Sequence, residues 1–185
     1  GLYALFFRRQ GLPDLAISYL EKALELNPKA LVWEIEMGNT LAEIGNLEVA
    51  LLHFQRAVEI DAQDWTPWRA LALFSISRNY QVGEVGLPAA TQALALFPSS
   101  PALMDLLGTG LMLESKYDEA ETYFLQANNI DPNQSAILIH LGQLYLAMGQ
   151  NEKAMEFLNQ AVEFAKDNRL RELANHILDE NRAGE

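Results

Sequence analysis

The sequence predicts an all-α fold, an α-solenoid of antiparallel helix pairs with a C-terminal capping helix. Three observations carry this. First, residues recur in columns: Ala23, Ala57, Ala93, Ala127 and Ala161 are 34, 36, 34 and 34 residues apart. Leu20, Phe54, Ala90, Phe124 and Leu158 keep the same spacings, as do Pro28, Ala62, Pro98, Pro132 and Lys166; Gly38, Ala72, Gly108 and Gly142 keep the first three. Second, between the columns apolar residues recur at i, i+3, i+4 and i+7, as in Leu51, Phe54, Ala57 and Val58, the period of a helix face. Third, no stretch alternates with period two for long enough to argue a strand.

Each repeat reads as two helices around a turn. The first, at about residues 1–30, carries Gly11 at its inner turn and ends at Asn27-Pro28. The second, 31–64, turns at Gly45, and the fourth, 101–134, at Ser115. The fifth, 135–168, turns at Gly149. These residues fall where a helix end takes positive φ. Proline between repeats ends a helix, because it disfavours α geometry in the residue before it. The third repeat, 65–100, turns at Asn79 and carries two extra residues within 80–87. Its second helix is expected to start late, with Pro88 in the first turn, and to be short. Last, Leu170, Leu173, Ala174, Ile177 and Leu178 fall on one face of a helix over 169–181, which would cover the apolar side of the fifth repeat. The whole, 1–185, reads as one domain.

The columns resemble the tetratricopeptide repeat (TPR) family, whose signature runs W-x2-L-G-x2-Y, A-x3-F and P at a period of 34. The fourth repeat matches with Leu107-Gly108-x2-Leu111, Ala120-x3-Phe124 and Pro132, and the fifth with Leu141-Gly142-x2-Tyr145 and Ala154-x3-Leu158. The second gives Met37-Gly38-x2-Leu41 and Ala50-x3-Phe54. The resemblance covers about residues 1–168 and implies a right-handed superhelix. The first repeat is truncated: its opening turn would lie before Gly1, so the native chain is expected to continue upstream or to be covered there by another copy.

Composition excludes much chemistry. With 25 acidic and 13 basic side chains the chain carries −12, which repels phosphate and argues against nucleic acid. No cysteine is present, so no disulfide, thiolate ligand or cysteine nucleophile exists. No apolar run is long enough to span a membrane. No targeting leader is visible; a cytoplasmic setting is favoured, with nothing that assigns a compartment. His53, His140 and His176 lie in separate segments, and none is expected to bind a metal. No G-x-S-x-G elbow occurs. Gly108-Thr109-Gly110 lies inside a helix pattern rather than a phosphate loop. No catalytic residue, cofactor or metal is expected.

The resemblance instead implies binding. In this family the first helix of each repeat lines a concave groove. Carried over slot by slot, the partner-binding residues are Ile35 and Asn39; Arg69, Leu73 and Ile76; Asp105, Thr109, Met112 and Leu113; and Ile139, Gln143 and Leu146. The surface is mostly apolar and suits a partner's peptide or amphipathic helix. The cationic set with which some family members grip a C-terminal carboxylate is absent. A second candidate patch is Trp65 with Tyr80; Trp68 fills the family's tryptophan slot and is read as core. The expected function is a non-catalytic protein-interaction scaffold. Two alternatives stay open: a regulatory or targeting segment of a larger enzyme, and a scaffold that self-associates through its uncapped N-terminal face.

Charge is uneven. Residues 1–64 carry −5, 65–100 carry +1, 101–134 carry −5 and 135–185 carry −3. The irregular third repeat is therefore the one region without net negative charge.

Overall fold

The computed structural model describes residues 1–182. These form eleven α-helices and, among the described residues, no strand. The helices group into two compact units, Gly1–Phe97 and Pro98–Glu185, within the span that the repeats mark as continuous.

The first unit holds α1 (Leu2–Arg9), α2 (Pro13–Leu26), α3 (Leu31–Glu43), α4 (Leu47–Ile60), α5 (Trp65–Ser77) and α6 (Leu87–Leu96). Helices α1–α2, α3–α4 and α5–α6 pack as pairs. The turns inside the pairs are left-handed, with φ of 70° at Gly11, 84° at Gly45 and 48° at Asn79. Each lets the next amide reach back over the helix end, as Asn46 N–H does to Leu41 O at 2.9 Å.

The close approach of α3 and α4 comes from Gly38. A Cβ there would lie 2.8 Å from the Phe54 ring, so only glycine lets that ring sit on the facing helix. Both residues are buried, and Phe54 also stacks on Phe74 at 4.8 Å.

The third repeat solves the same problem differently. Ala72 and Ala90 stand in the glycine and phenylalanine columns, so no large side chain crosses there. The tight contact moves to Gly86, whose Cβ would lie 2.7 Å from Ser75 Oγ. The two extra residues form a π-helical turn, Val82–Gly86, that leads directly into α6. Its N–H groups reach back five residues: Gly86 N–H to Gln81 O at 3.2 Å and Leu87 N–H to Val82 O. Gln81 enters it at φ 50°. The buried Ser75 hydroxyl, 2.6 Å from Tyr80 O and 3.2 Å from Gln81 O, holds this strained entry. Leu41, Leu111 and Tyr145 fill that column elsewhere; the leucines have no donor, and the Tyr145 hydroxyl reaches out to Glu121 instead. Helix α6 is the shortened second helix expected, with 10 residues against 14 in α4.

The second unit holds α7 (Pro101–Leu113), α8 (Tyr117–Ile130), α9 (Ser135–Ala147), α10 (Asn151–Phe164) and α11 (Asn168–Arg182). A Cβ on Gly108 would lie 2.8 Å from the Phe124 ring, and one on Gly142 2.5 Å from Leu158 Cγ. Ser115 and Gly149 make the left-handed turns, at φ 59° and 72°. Helix α11 is the cap: Ala174, Ile177 and Leu178 join Leu138, Ile139, Leu158 and Ala161 in one core. Leu173, expected on that buried stripe, is 42% exposed, because it lies at the stripe's edge, one residue from Ala174.

Tyr145 of α9 is buried and donates to Glu121 Oε1 of α8 at 2.6 Å. Burial, that hydrogen bond and the carboxylate's charge together push the phenol well above its ordinary value.

Two predictions follow from this packing. Gly108→Leu drives a side chain into the Phe124 ring and should cost about 1–3 kcal/mol in a thermal melt; an unchanged melt would show that the two helices are not held at glycine distance. Above about pH 10 an unfolded tyrosine ionises while Tyr145 keeps its proton, so the folded state binds more protons and stability falls as pH rises. Tyr145→Phe should flatten that fall above about pH 10. Parallel curves for the two proteins would contradict the buried Tyr145–Glu121 bond.

Candidate functional site

The first helix of each pair presents the residues assigned to the concave face. In the first unit Ile35 and Asn39 project from α3, and Arg69 and Leu73 from α5. All four line one cavity of about 220 Å³, together with Glu43 and Arg78. The i, i+4 spacing on both helices puts each pair on one face. Leu73 is 43% exposed and supplies apolar surface. Ile76 is buried at 4% exposure, so it supports this surface from behind.

The one acid of the cavity wall, Glu43, is neutralised by Arg8. Its guanidinium reaches from α1 to α3, 3.1 Å from Glu36 Oε2 and 3.1 Å from Glu43 Oε1. Glu43 is thus engaged, while Arg69 and Arg78 remain as cations of the cavity wall. Arg78 was not assigned to the groove from sequence; it caps α5 just past the last groove slot.

In the second unit Asp105, Thr109, Met112 and Leu113 lie along α7, and Gln143 and Leu146 along α9. Asp105 is not a free anion: its Oδ1 accepts from His140 Nδ1 at 2.7 Å. Thr109 turns its hydroxyl to Asp105 O of its own helix at 2.9 Å. Leu113 is 43% exposed, whereas Ile139 is buried within the capped core. Of the residues assigned here, Met112, Leu113, Gln143 and Leu146 keep accessible side chains.

Trp65 and Tyr80 do not make one patch. Trp65 opens α5 and stacks on Phe97, centroids 5.4 Å apart; Tyr80 lies past the other end and tilts against Phe74 at 5.9 Å. Twelve residues of rise along α5 separate the two ends by roughly 18 Å.

The histidines show what sequence spacing missed. His53 Nδ1 lies 2.6 Å from Glu34 Oε2, a largely buried pair joining α4 to α3. Partners 19 and 35 residues apart leave no local signal. His176 has a carboxylate one helical turn on, with Nε2 3.3 Å from Glu180 Oε1, but both side chains are solvated. Among the described residues no group of three or more histidine, aspartate or glutamate side chains converges as metal ligands do. No helix there is long and apolar enough to cross a membrane.

Comparison with known proteins bears on this architecture. Two tetratricopeptide repeat models match the chain, over residues 4–65 and 111–177. Mouse interferon-induced protein with tetratricopeptide repeats 3 is 26% identical over 178 residues, 91% of this chain and 44% of its own length. The chain spans less than half the length of the curated relatives it matches first. Among solved structures, MamA from Desulfovibrio magneticus RS-1 superposes with a TM-score of 0.75, over 88% of this chain and 90% of that one, at 18% identity. YrrB, described as a TPR protein with an unusual peptide-binding site, gives 0.69 over 94% and 89% at 22% identity. These two likenesses concern the fold. Proteins of this repeat class are generally non-catalytic scaffolds for protein interactions. The repeat columns, the glycine-seated helix pairs and the two matching models establish that the chain belongs to the tetratricopeptide repeat family.

Proposed function

We propose that the chain is a non-catalytic interaction scaffold that holds a peptide or helix of a partner protein on its concave residues. One observation carries this: Ile35, Asn39, Arg69 and Leu73, assigned to the groove one slot at a time, line a single cavity. Its chemistry is apolar side chains beside an amide and two guanidinium groups, which suits a segment presenting an apolar anchor next to a hydrogen-bonding group. In the second unit Met112, Leu113 and Leu146 offer unbranched and γ-branched apolar contacts of the kind that adapt to a partner helix. That YrrB is described as binding a peptide agrees with this reading.

The test compares proteins retained by the native chain, by Arg69→Glu with Leu73→Asp, and by Leu52→Asp, an exposed change on α4. The concave double variant should lose at least one partner that the other two keep. Identical partner sets for all three would defeat the concave assignment.

A further inference from the structure

A second cavity of the first unit lies away from the concave residues, at the π-helical turn. It measures about 460 Å³ and lies among α4, α5, the turn and α6. Val58, Leu71 and Val85 give it apolar walls, Trp68 an aromatic one, and Glu59 and Glu84 two carboxylates. No lysine or arginine lines it.

The preceding repeat has a cavity at the corresponding slots, about 690 Å³ among Glu21, Leu24, Glu25, Met37, Val49 and His53, so what sets this one apart is its lining. Trp68 stands one repeat after Glu34, and Ala89 stands one lengthened repeat after His53. In the preceding repeat those two slots are joined by the 2.6 Å Glu34–His53 pair. Here the pair is replaced by an indole and a methyl group. The indole is fixed, since its N–H donates to Ala62 O at 2.9 Å, leaving the ring as its remaining means of contact. The π-helical turn supplies Glu84 and Val85 to its wall, Val85 standing where Val49 lines the preceding cavity. Single π-turns within α structure often mark functional positions.

Charge is divided between the faces of this repeat. Its two arginines, Arg69 and Arg78, line the concave cavity. Its one acid, Glu84, lines this one with Glu59 of the preceding repeat. Neither carboxylate has an ion-pair partner among the described residues.

We propose that this cavity is a second binding site, which takes an arginine or lysine side chain of a partner polypeptide. The aliphatic stem would lie on Val58, Leu71 and Val85, and the cationic head would meet Glu59 and Glu84 beside the Trp68 ring. The two carboxylates favour the charged head, and the apolar walls favour the long stem over a small cation.

The test is an array of blocked pentapeptides with randomised flanks and a central arginine, citrulline, norleucine or glutamate. Citrulline keeps the shape of arginine without its charge. The native chain should be retained by arginine peptides at least about fivefold more than by citrulline peptides. That ratio should fall to about one in Glu59→Gln with Glu84→Gln, both exposed positions. It should survive Arg69→Glu with Leu73→Asp, which separates this site from the concave one. It should also survive Glu119→Gln with Glu163→Gln, which removes the same charge elsewhere. Equal retention of arginine and citrulline peptides would overturn the proposal. So would a preference that the Glu59→Gln, Glu84→Gln variant keeps.

Discussion

The fold depends on one steric fit repeated along the chain: a large side chain seated on a glycine of the facing helix. Phe54 on Gly38, Phe124 on Gly108 and Leu158 on Gly142 each occupy space that a Cβ would claim. Glycine inside a helix costs roughly 1 kcal/mol in propensity. The fit offsets this by letting two helices approach closely enough to bury the ring on all sides, which for a phenylalanine contributes about 1.5–3 kcal/mol. The columns at 34 residues are thus the trace of a contact. They also orient the first helix of each pair, so that Ile35 and Asn39 on α3 face the same cavity as Arg69 and Leu73 on α5.

The third repeat shows what happens when that fit is withdrawn. With alanine in both columns, the close approach shifts to Gly86 against Ser75, and the freed chain takes up a π-turn. Ser75 makes this possible, because its hydroxyl satisfies the carbonyls that the left-handed entry exposes. The same repeat carries Trp68 and Ala89 where the preceding one has the Glu34–His53 pair, which changes the lining of the cavity at that place.

Much of this was legible in the residues. The left-handed turns at Gly11, Gly45, Asn79, Ser115 and Gly149 were readable because one slot must take positive φ whatever fills it. The capping helix was readable from a single apolar stripe. The depth of a groove residue was not. Ile76 and Ile139 share the helical face of their exposed neighbours, yet each turns into the core, and only packing by another helix decides that. The π-turn was hidden because the insertion shows only as a count of two residues. The Glu34–His53 and Asp105–His140 pairs were hidden because their partners meet through the fold, not along one helix.

A double-mutant cycle on Gly38 and Phe54 tests the steric fit most directly. Gly38→Ala alone should lower stability, because its methyl meets the Phe54 ring. In a Phe54→Ala background, which reproduces the Ala72 and Ala90 pairing of the third repeat, the same change should raise stability by roughly 0.5–1 kcal/mol through helix propensity. The account thus predicts a coupling of about 1–3 kcal/mol with a change of sign. The same effect of Gly38→Ala in both backgrounds would contradict it.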